Sequence, residues 1–230
     1  MEAEGVKVIA FDADDTLWDC QSHFVDVERR YCALLSEYCD ATTVSSELFK
    51  TESANMPLLG YGCKAFTISL IENAVKVSHG KVRGSIIEQI VKLGKSLLCW
   101  DVLPLPHVTD VLMVLQKKYR LAIFTKGELL DQEDKLKRSG LDHFFSHVFV
   151  VSDKTPERVL ELCSNMNIKP SELLMVGNSF KSDIMPAVEV GAQAVYVPFD
   201  VTWKHEETEV FQHDRIIKID DIKELLKLII

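Results

Sequence analysis

The chain has 230 residues, of which 47% are hydrophobic and 27% charged, as expected of a globular protein with a sizeable core. Its formal net charge of −9 disfavours general binding to nucleic acid or anionic membranes, because both need a basic surface. No stretch approaches the roughly 18 consecutive apolar residues of a membrane span, and the acidic N-terminus lacks the basic start of a secretory signal. We therefore expect a soluble, cytoplasmic protein that binds neither nucleic-acid polymers nor membranes.

The first 100 residues divide into one strand and a helical block. Residues 6–11 form a short β-branched run typical of a buried parallel strand. From about residue 20 to 100 the pattern is almost wholly helical. The predicted helices are 23–38, one beginning near Ser45–Ser46 where serine can cap it, 65–77 and 85–98. Four helices in this span favour a compact bundle.

From residue 101 onward, strands and helices alternate. The predicted strands are 120–124, 147–151, 173–176, 194–197 and 215–219. The predicted helices are 105–118, 129–139, 156–165, 180–190 and 222–229. This alternation predicts an α/β fold, a doubly wound parallel sheet that also contains the first strand. We expect residues 1–17 and 101–230 to form this Rossmann-like core and residues 18–100 to form a helical domain inserted into it.

The six cysteines are spread along the chain without a C-x-x-C pair. A zinc site needs tighter clustering, and a disulfide framework is not typical of a chain of this size without a secretory signal. We expect all six to be buried as small apolar residues. They are Cys20, Cys32, Cys39, Cys63, Cys99 and Cys163.

Acidic residues gather directly after the first strand. Asp12, Asp14 and Asp15 place three carboxylates within four positions, and Thr16 follows them. Such carboxylates repel one another unless a cation or a positive side chain neutralises them. A solvated acidic turn is the plain alternative, and the apolar character of the preceding strand argues against it.

Polar residues also follow three later strands, where ligands of open parallel sheets bind. Thr125 and Lys126 follow the second strand, and Thr125 offers a hydroxyl to an oxyanion. Lys154 stands at the start of a helix, where a positive charge is unfavourable for the helix alone and sensible if an anion binds. Gly177, Asn178 and Asp183 follow the LLMV strand. Capping residues and a solvated surface lysine are the structural alternatives for these positions.

Together these residues resemble the four motifs of the haloacid dehalogenase-like hydrolase superfamily. The run VIAFDADDTLW matches the first motif, with Asp12, Asp14 and Thr16 at its defining positions. AIFT matches the second motif at Thr125, Lys154 matches the third, and Gly177 with Asp183 matches the fourth. The resemblance covers essentially the whole chain, and the helical insertion resembles the cap domain of that family.

The resemblance implies a phosphatase, because dehalogenases of this family lack the second aspartate of the first motif. It assigns Asp12 as nucleophile and Asp14 as general acid and base, with Thr125 and Lys154 holding the phosphoryl group. Mg²⁺ is the implied cofactor, held by Asp12, the backbone carbonyl of Asp14, Asp183 and, in an assisting role, Asn178. The expected substrate is a small phosphate monoester, a sugar phosphate or a nucleoside monophosphate, bound by a monomer or a homodimer.

Two motifs depart from the family pattern. Asn178 stands where the fourth motif often has aspartate, which removes one negative charge from the metal site. The lysine motif is one residue shorter than usual, so Lys126 and Lys181 are alternatives to Lys154 as the phosphate-binding lysine.

Two aromatic residues are candidates for substrate contact. Trp18 lies where the chain passes from core to cap, and Tyr61 lies in a glycine-bracketed loop of the cap. Packing is the alternative for both.

Other activities remain open from the sequence: a phosphomutase, a phosphonate hydrolase using a cap lysine, or a dehalogenase. A non-catalytic binding protein is a further alternative, with Asn178 as its only support.

Overall fold

The computed structural model describes residues 5–229. The chain divides into two compact units, one of residues 1–21 and 102–230 and the other of residues 22–101. The first contains the sheet and the second is helical. Each unit has its own buried core.

A parallel six-stranded sheet organises the first unit, in the order β3-β2-β1-β4-β5-β6. This confirms the predicted α/β class. The strands are β1 (Val8–Phe11), β2 (Arg120–Lys126), β3 (His147–Val151), β4 (Leu173–Gly177), β5 (Gln193–Tyr196) and β6 (Ile216–Lys218).

The first strand lies in the middle of the sheet, between β2 and β4. All four residues of β1 and all five of β4 are buried, as the near-continuous apolar runs predict for strands covered on both faces. Strand order reverses between β1 and β4, because β2 and β3 lie on one side and β5 and β6 on the other. The carboxyl ends of strands at such a reversal form the crevice in which α/β proteins bind ligands.

The first unit has five α-helices in its described residues, four between strands and the last after β6. They are α5 (Val108–Leu115), α6 (Leu129–Arg138), α7 (Pro156–Asn165), α8 (Met185–Glu189) and α9 (Leu225–Ile229). Thr155 caps α7, since its side chain accepts a hydrogen bond from the Arg158 N–H. The helix predicted over 180–190 is helical over residues 180–189, but it is not α-helical throughout. It begins as a π-helix, Phe180–Ile184, that leads directly into α8, and Pro186, which has no N–H to give, lies in the first turn of α8.

Four helices form the second unit, as the periodicity predicts. They are α1 (Gln21–Leu34), α2 (Ala41–Leu59), α3 (Cys63–Val77) and α4 (Gly84–Ser96). The predicted start of α2 at Ser45–Ser46 is wrong. Asp40 caps the helix instead, accepting a hydrogen bond of 3.0 Å from the Thr43 N–H, while Ser45 donates to Glu28.

Two features fix the packing of the helical unit. The fully buried Asn73 amide donates to the Tyr31 hydroxyl at 2.8 Å and to the Val44 carbonyl at 3.1 Å, tying three helices together. Gly94 of α4 lies so close to α3 that an added Cβ would come within 2.0 Å of the Thr67 hydroxyl oxygen. The two helices therefore approach closely at a position where only glycine fits.

All six cysteines are free thiols, and the prediction of burial holds for four of them. Cys39 is partly buried and Cys99 is exposed, so the prediction was wrong for Cys99. Among residues 5–229, no helix combines the length and apolar character that crossing a membrane requires.

Candidate active site

The carboxylate of Asp12 lies at the carboxyl end of the central strand and is almost completely buried. The strand continues through it, since the Asp12 N–H donates to the Val176 carbonyl at 2.9 Å. One carboxylate oxygen, Oδ2, accepts a hydrogen bond of 3.0 Å from the Thr16 hydroxyl. The other, Oδ1, contacts the ammonium of Lys154 at 2.5 Å.

A single ammonium group joins two of the predicted site residues. Lys154 Nζ contacts Asp12 Oδ1 at 2.5 Å and Asp183 Oδ1 at 2.6 Å, with the lysine side chain 1% exposed. The carboxylates of the first and fourth motifs are therefore neighbours that share one positive charge. The shortened lysine motif still brings its ammonium to Asp12.

Burial dominates the protonation equilibria of this ion pair. Desolvation raises the pKa of Asp12 to about 7, the Lys154 ammonium opposes that shift, and the Asp183 carboxylate adds to it. Burial would lower the pKa of Lys154, but the two carboxylates hold that pKa above its ordinary value. Lys154 is therefore a permanent cation, and Asp12 becomes fully anionic only above neutral pH in the absence of a further positive charge.

A glycine makes room for Asp183. A Cβ built on Gly177 would lie 2.2 Å from Asp183 Oδ2 and 2.6 Å from the Asp183 Cβ, so any side chain at position 177 would displace the aspartate. The same oxygen accepts a hydrogen bond of 2.9 Å from the Ser179 N–H. The π-helix Phe180–Ile184 brings the Asp183 side chain back to the beginning of its own loop.

Thr16 connects the first motif to the fourth. Its hydroxyl donates to Asp12 and lies 3.2 Å from Asn178 Oδ1, and it accepts a hydrogen bond of 3.0 Å from the Asn178 N–H. Asn178 is therefore held near Asp12 through Thr16, with a carboxamide oxygen where the family pattern often has a carboxylate.

The three carboxylates after β1 do not converge on one point. Asp14 accepts hydrogen bonds from Lys135, Gln132 and Trp18 instead. Asp15, at a φ of 64°, accepts hydrogen bonds of 2.8 and 2.9 Å from the N–H groups of Cys20 and Gln21. Burial raises the pKa of Asp15 to about 7. Each carboxylate thus finds its own partners, which relieves the mutual repulsion expected from the sequence.

Lys135, Gln132 and Trp18 surround the carboxylate of Asp14. The Lys135 ammonium contacts both oxygens of that carboxylate at 2.7 Å. Gln132 Nε2 donates to Oδ2 at 2.8 Å, and Trp18 Nε1 donates to Oδ1 at 2.7 Å. Burial alone would raise the pKa of Asp14, but the lysine and these donors bring that pKa below its ordinary value.

Glu206 is the centre of a second buried polar cluster. Its carboxylate accepts short hydrogen bonds from the Lys126 ammonium and the Ser179 hydroxyl, and one of 2.5 Å from the Ser182 hydroxyl. Lys126 also donates to the Ser182 hydroxyl at 2.8 Å. Burial would raise the pKa of Glu206, but Lys126 and the two serines lower it to about 2. This cluster fastens the loop before β6 to the fourth-motif loop.

The remaining predicted residues have different surroundings. Thr125 is buried near the carboxyl end of β2, the strand that pairs with β1. Lys126 is paired with Glu206, and Lys181 donates to the His205 carbonyl at 2.8 Å, so neither replaces Lys154 at Asp12. Trp18 is 1% exposed with its N–H bonded to Asp14, an arrangement that lends no support to substrate contact.

Tyr61 lies in the helical unit, in the turn between α2 and α3. It is half-buried and flanked by Gly60 and Gly62, both at positive φ. Its predicted contact with substrate stays a prediction.

Sequence reasoning missed three residues of this site: Gln132, Lys135 and Glu206. The face of α6 at positions 131, 132 and 135 is polar yet buried, while Leu129 and Leu130 are exposed. Because an amphipathic helix normally buries its apolar face, the sequence pattern of α6 favours the wrong face. Glu206 lies in a loop without periodicity, so the sequence gave no signal for it either.

Comparisons with known proteins identify the family and its relatives. Residues 6–191 match the family model described as haloacid dehalogenase-like hydrolase. The glyceraldehyde 3-phosphate phosphatase of Methanothermobacter thermautotrophicus is 29% identical, over 97% of this chain and all of the relative. The pyrimidine 5′-nucleotidase YjjG of Escherichia coli is 26% identical, over 80% of this chain and 82% of the relative.

Among solved structures, a haloacid dehalogenase-like family hydrolase from Xanthomonas campestris superposes with a TM-score of 0.88. It is 28% identical, and the match covers 96% of this chain and 88% of that one.

Proposed function

The chain belongs to the haloacid dehalogenase-like hydrolase family, and from that premise we propose that it is a magnesium-dependent phosphatase of a small phosphate monoester. One observation carries the proposal. The buried carboxylate of Asp12 ends the central strand and shares the Lys154 ammonium with Asp183, and a second carboxylate follows two residues later. A nucleophile, a phosphate-neutralising cation and an acid/base group thus occupy the ligand-binding edge of the sheet.

In the first step, an oxygen of Asp12 attacks phosphorus and forms an aspartyl-phosphate, while the bond from phosphorus to the leaving oxygen breaks. Lys135 lowers the pKa of Asp14 in the free protein, and an anionic phosphate bound beside Asp14 would act in the opposite direction. We therefore propose that Asp14 is protonated in the substrate complex, gives its proton to the leaving oxygen, and so lets the alcohol leave. In the second step, Asp14 takes a proton from water as the water oxygen attacks phosphorus. The Asp12–phosphorus bond then breaks, inorganic phosphate leaves, and both aspartates return to their starting forms.

Lys154 and Thr125 are proposed to hold the other phosphoryl oxygens. The Lys154 ammonium is already at the nucleophile, so it can follow the negative charge as it moves from carboxylate to phosphate. Removing one preorganised donor of this kind typically lowers kcat by about 10²–10³-fold.

The donor set fits Mg²⁺, which prefers oxygen ligands. Asp12, Asp183, the carbonyl of Asp14 and the amide oxygen of Asn178 would hold it. The Asp12 and Asp183 carboxylates already converge on one cation, Lys154. Over residues 5–229 no three His, Cys, Asp or Glu side chains gather as a metal cluster, in line with a set containing only two carboxylate side chains. When bound, the ion supplies the positive charge that lets an anionic carboxylate approach an anionic phosphate.

Two classes of phosphate ester are proposed as substrates. The names of the relatives point to a phosphorylated three-carbon sugar and to pyrimidine nucleoside monophosphates. The helical unit is proposed to act as a cap that selects the leaving group, with Tyr61 as the residue to test first.

The decisive experiment measures phosphate release from glyceraldehyde 3-phosphate and from a pyrimidine nucleoside monophosphate. Asp12→Asn should abolish turnover while the circular dichroism spectrum stays unchanged, whereas Asp214→Asn, at an exposed carboxylate, should behave as wild type. Chelation with EDTA should stop turnover and added Mg²⁺ should restore it. Normal hydrolysis by Asp12→Asn excludes this residue as nucleophile, and activity indifferent to chelation excludes the metal.

A further inference from the structure

The carboxylate of Asp14, on the loop after β1, is held by an unusually large number of side-chain donors. It accepts four contacts from three side chains: two of 2.7 Å from Lys135, one of 2.8 Å from Gln132 and one of 2.7 Å from Trp18. These donors approach both oxygens of the carboxylate. Four contacts of this kind leave the side chain one orientation.

Helix α6 provides two of these donors, and to do so it buries polar residues while two of its leucines remain exposed. Lys135 is only 2% exposed, a rare condition for a lysine, and its ammonium lies among Asp14, at 2.7 Å, and Asp131, at 3.7 Å. Two leucines of the same helix, Leu129 and Leu130, are meanwhile exposed to solvent. Burying an ammonium is costly unless a paired charge offsets that cost, and the shorter contacts identify Asp14 as the principal partner.

The backbone at Gly127 leaves room for the Gln132 side chain to reach Asp14. Its Nε2 donates to the Lys126 carbonyl at 2.8 Å as well as to Asp14, which ties α6 to the end of β2. Gly127 has a φ of 146°, and a Cβ there would lie 2.6 Å from that Nε2. A side chain at position 127 would therefore push Gln132 away from both partners.

We propose that Lys135, assisted by Gln132, is a positioning residue that fixes the orientation of Asp14 for proton transfer. The inference rests on the proposed function, since it requires Asp14 to be the acid/base group. Lys135 does not itself touch the reacting atoms in this scheme, and its whole effect on the reaction passes through Asp14. Misplacing a reacting group by about 1 Å can cost about 100-fold in rate, so loss of this support should lower kcat and leave KM nearly unchanged.

A double-mutant cycle tests this dependence. Lys135→Met should lower kcat by about 10–100-fold, and Lys135→Arg should recover part of the loss because it keeps a donor cation. The double variant Asp14→Ala with Lys135→Met should be no slower than Asp14→Ala alone, since residues that act as a unit are not additive. Lys137→Met, at an exposed position of the same helix, is the matched control and should leave kcat and KM unchanged.

Three outcomes overturn the proposal: a wild-type kcat for Lys135→Met, a change in KM alone, or losses that add in the double variant. If Lys135→Met does not fold, as judged by its circular dichroism spectrum, Gln132→Leu takes its place in the cycle, because it removes a donor and keeps every charge. Full activity of Asp14→Ala would instead overturn the acid/base role in the proposed function. An inactive Asp14→Ala beside a fully active Lys135→Met overturns the positioning role alone.

Discussion

Replacing Lys154 by methionine removes the one ammonium that Asp12 and Asp183 share, and keeps a side chain of similar length. The contacts of 2.5 and 2.6 Å would be lost, and two buried carboxylates would face each other without a counter-charge. Breaking a buried ion pair by removing one partner costs about 3–5 kcal/mol. Since domains are stable by about 5–15 kcal/mol, we expect a large fall in the free energy of unfolding in EDTA.

Magnesium should repair much of this damage. Ligand at about 100 times its Kd stabilises a folded protein by about 2.7 kcal/mol. Without the Lys154 ammonium, the cation meets two uncompensated carboxylates, so we expect the variant to bind Mg²⁺ at least about tenfold more tightly. That corresponds to about 1.4 kcal/mol of additional stabilisation over wild type at the same saturating concentration.

The assay is urea unfolding at pH 8, with and without Mg²⁺, for wild type, Lys154→Met and the exposed control Lys117→Met. The pH lies above the value of about 7 to which burial raises the pKa of Asp12, so that the Asp12 carboxylate is ionised in wild type. Equal stabilisation of all three proteins by Mg²⁺ would refute the reasoning, because Lys154 and the metal would then not be neutralising the same pair of charges.

Three further outcomes follow from the structure. Glu206→Gln should lower the free energy of unfolding near pH 7 by at most about 3 kcal/mol, the value of a pKa held at about 2 instead of 4.5. Because that pKa is depressed, the contribution is complete well above pH 4.5 and fades as the pH falls toward 2. Urea unfolding followed from about pH 6 to about pH 2.5 should therefore show the two proteins converging, and a constant gap over that range would count against the assignment. Gly94→Ala should cost about 1–3 kcal/mol by overpacking, while Gly84→Ala on the same helix, with open space around it, should be neutral or slightly stabilising; thermal melting compares them. Cys99 should react with a thiol reagent in the native protein well before Cys163, and equal rates would contradict their different burial.

The architecture and the meeting of Asp12, Lys154 and Asp183 were predictable from the sequence for one physical reason. Parallel strands end at the same edge of a sheet, so Asp12, Lys154 and Asp183 had to approach one another once the strands were identified. Even the shortened lysine motif did not prevent the ammonium from reaching Asp12. The burial of β1 and β4 followed from the apolar runs VIAF and LLMV.

The surroundings of Asp14 were not predictable in the same way. Its partners Gln132 and Lys135 lie 118 and 121 residues further along the chain, in a helix whose periodicity alone does not reveal which face is buried. Glu206 reaches Lys126 from a loop 80 residues away, and no spacing rule links the two. Side chains that converge through tertiary packing leave no periodic trace in the sequence.

The absence of a side chain at Gly177 has a consequence for how this protein can be altered. Because even a methyl group would occupy the space of Asp183, the two positions cannot be varied independently. A randomised library spanning residues 177–183, selected for turnover, should return glycine at the first position whenever aspartate is retained at the last. Efforts to change which esters the enzyme accepts should therefore begin with the helical unit, where a substitution does not have to be compatible with the contact between Gly177 and Asp183.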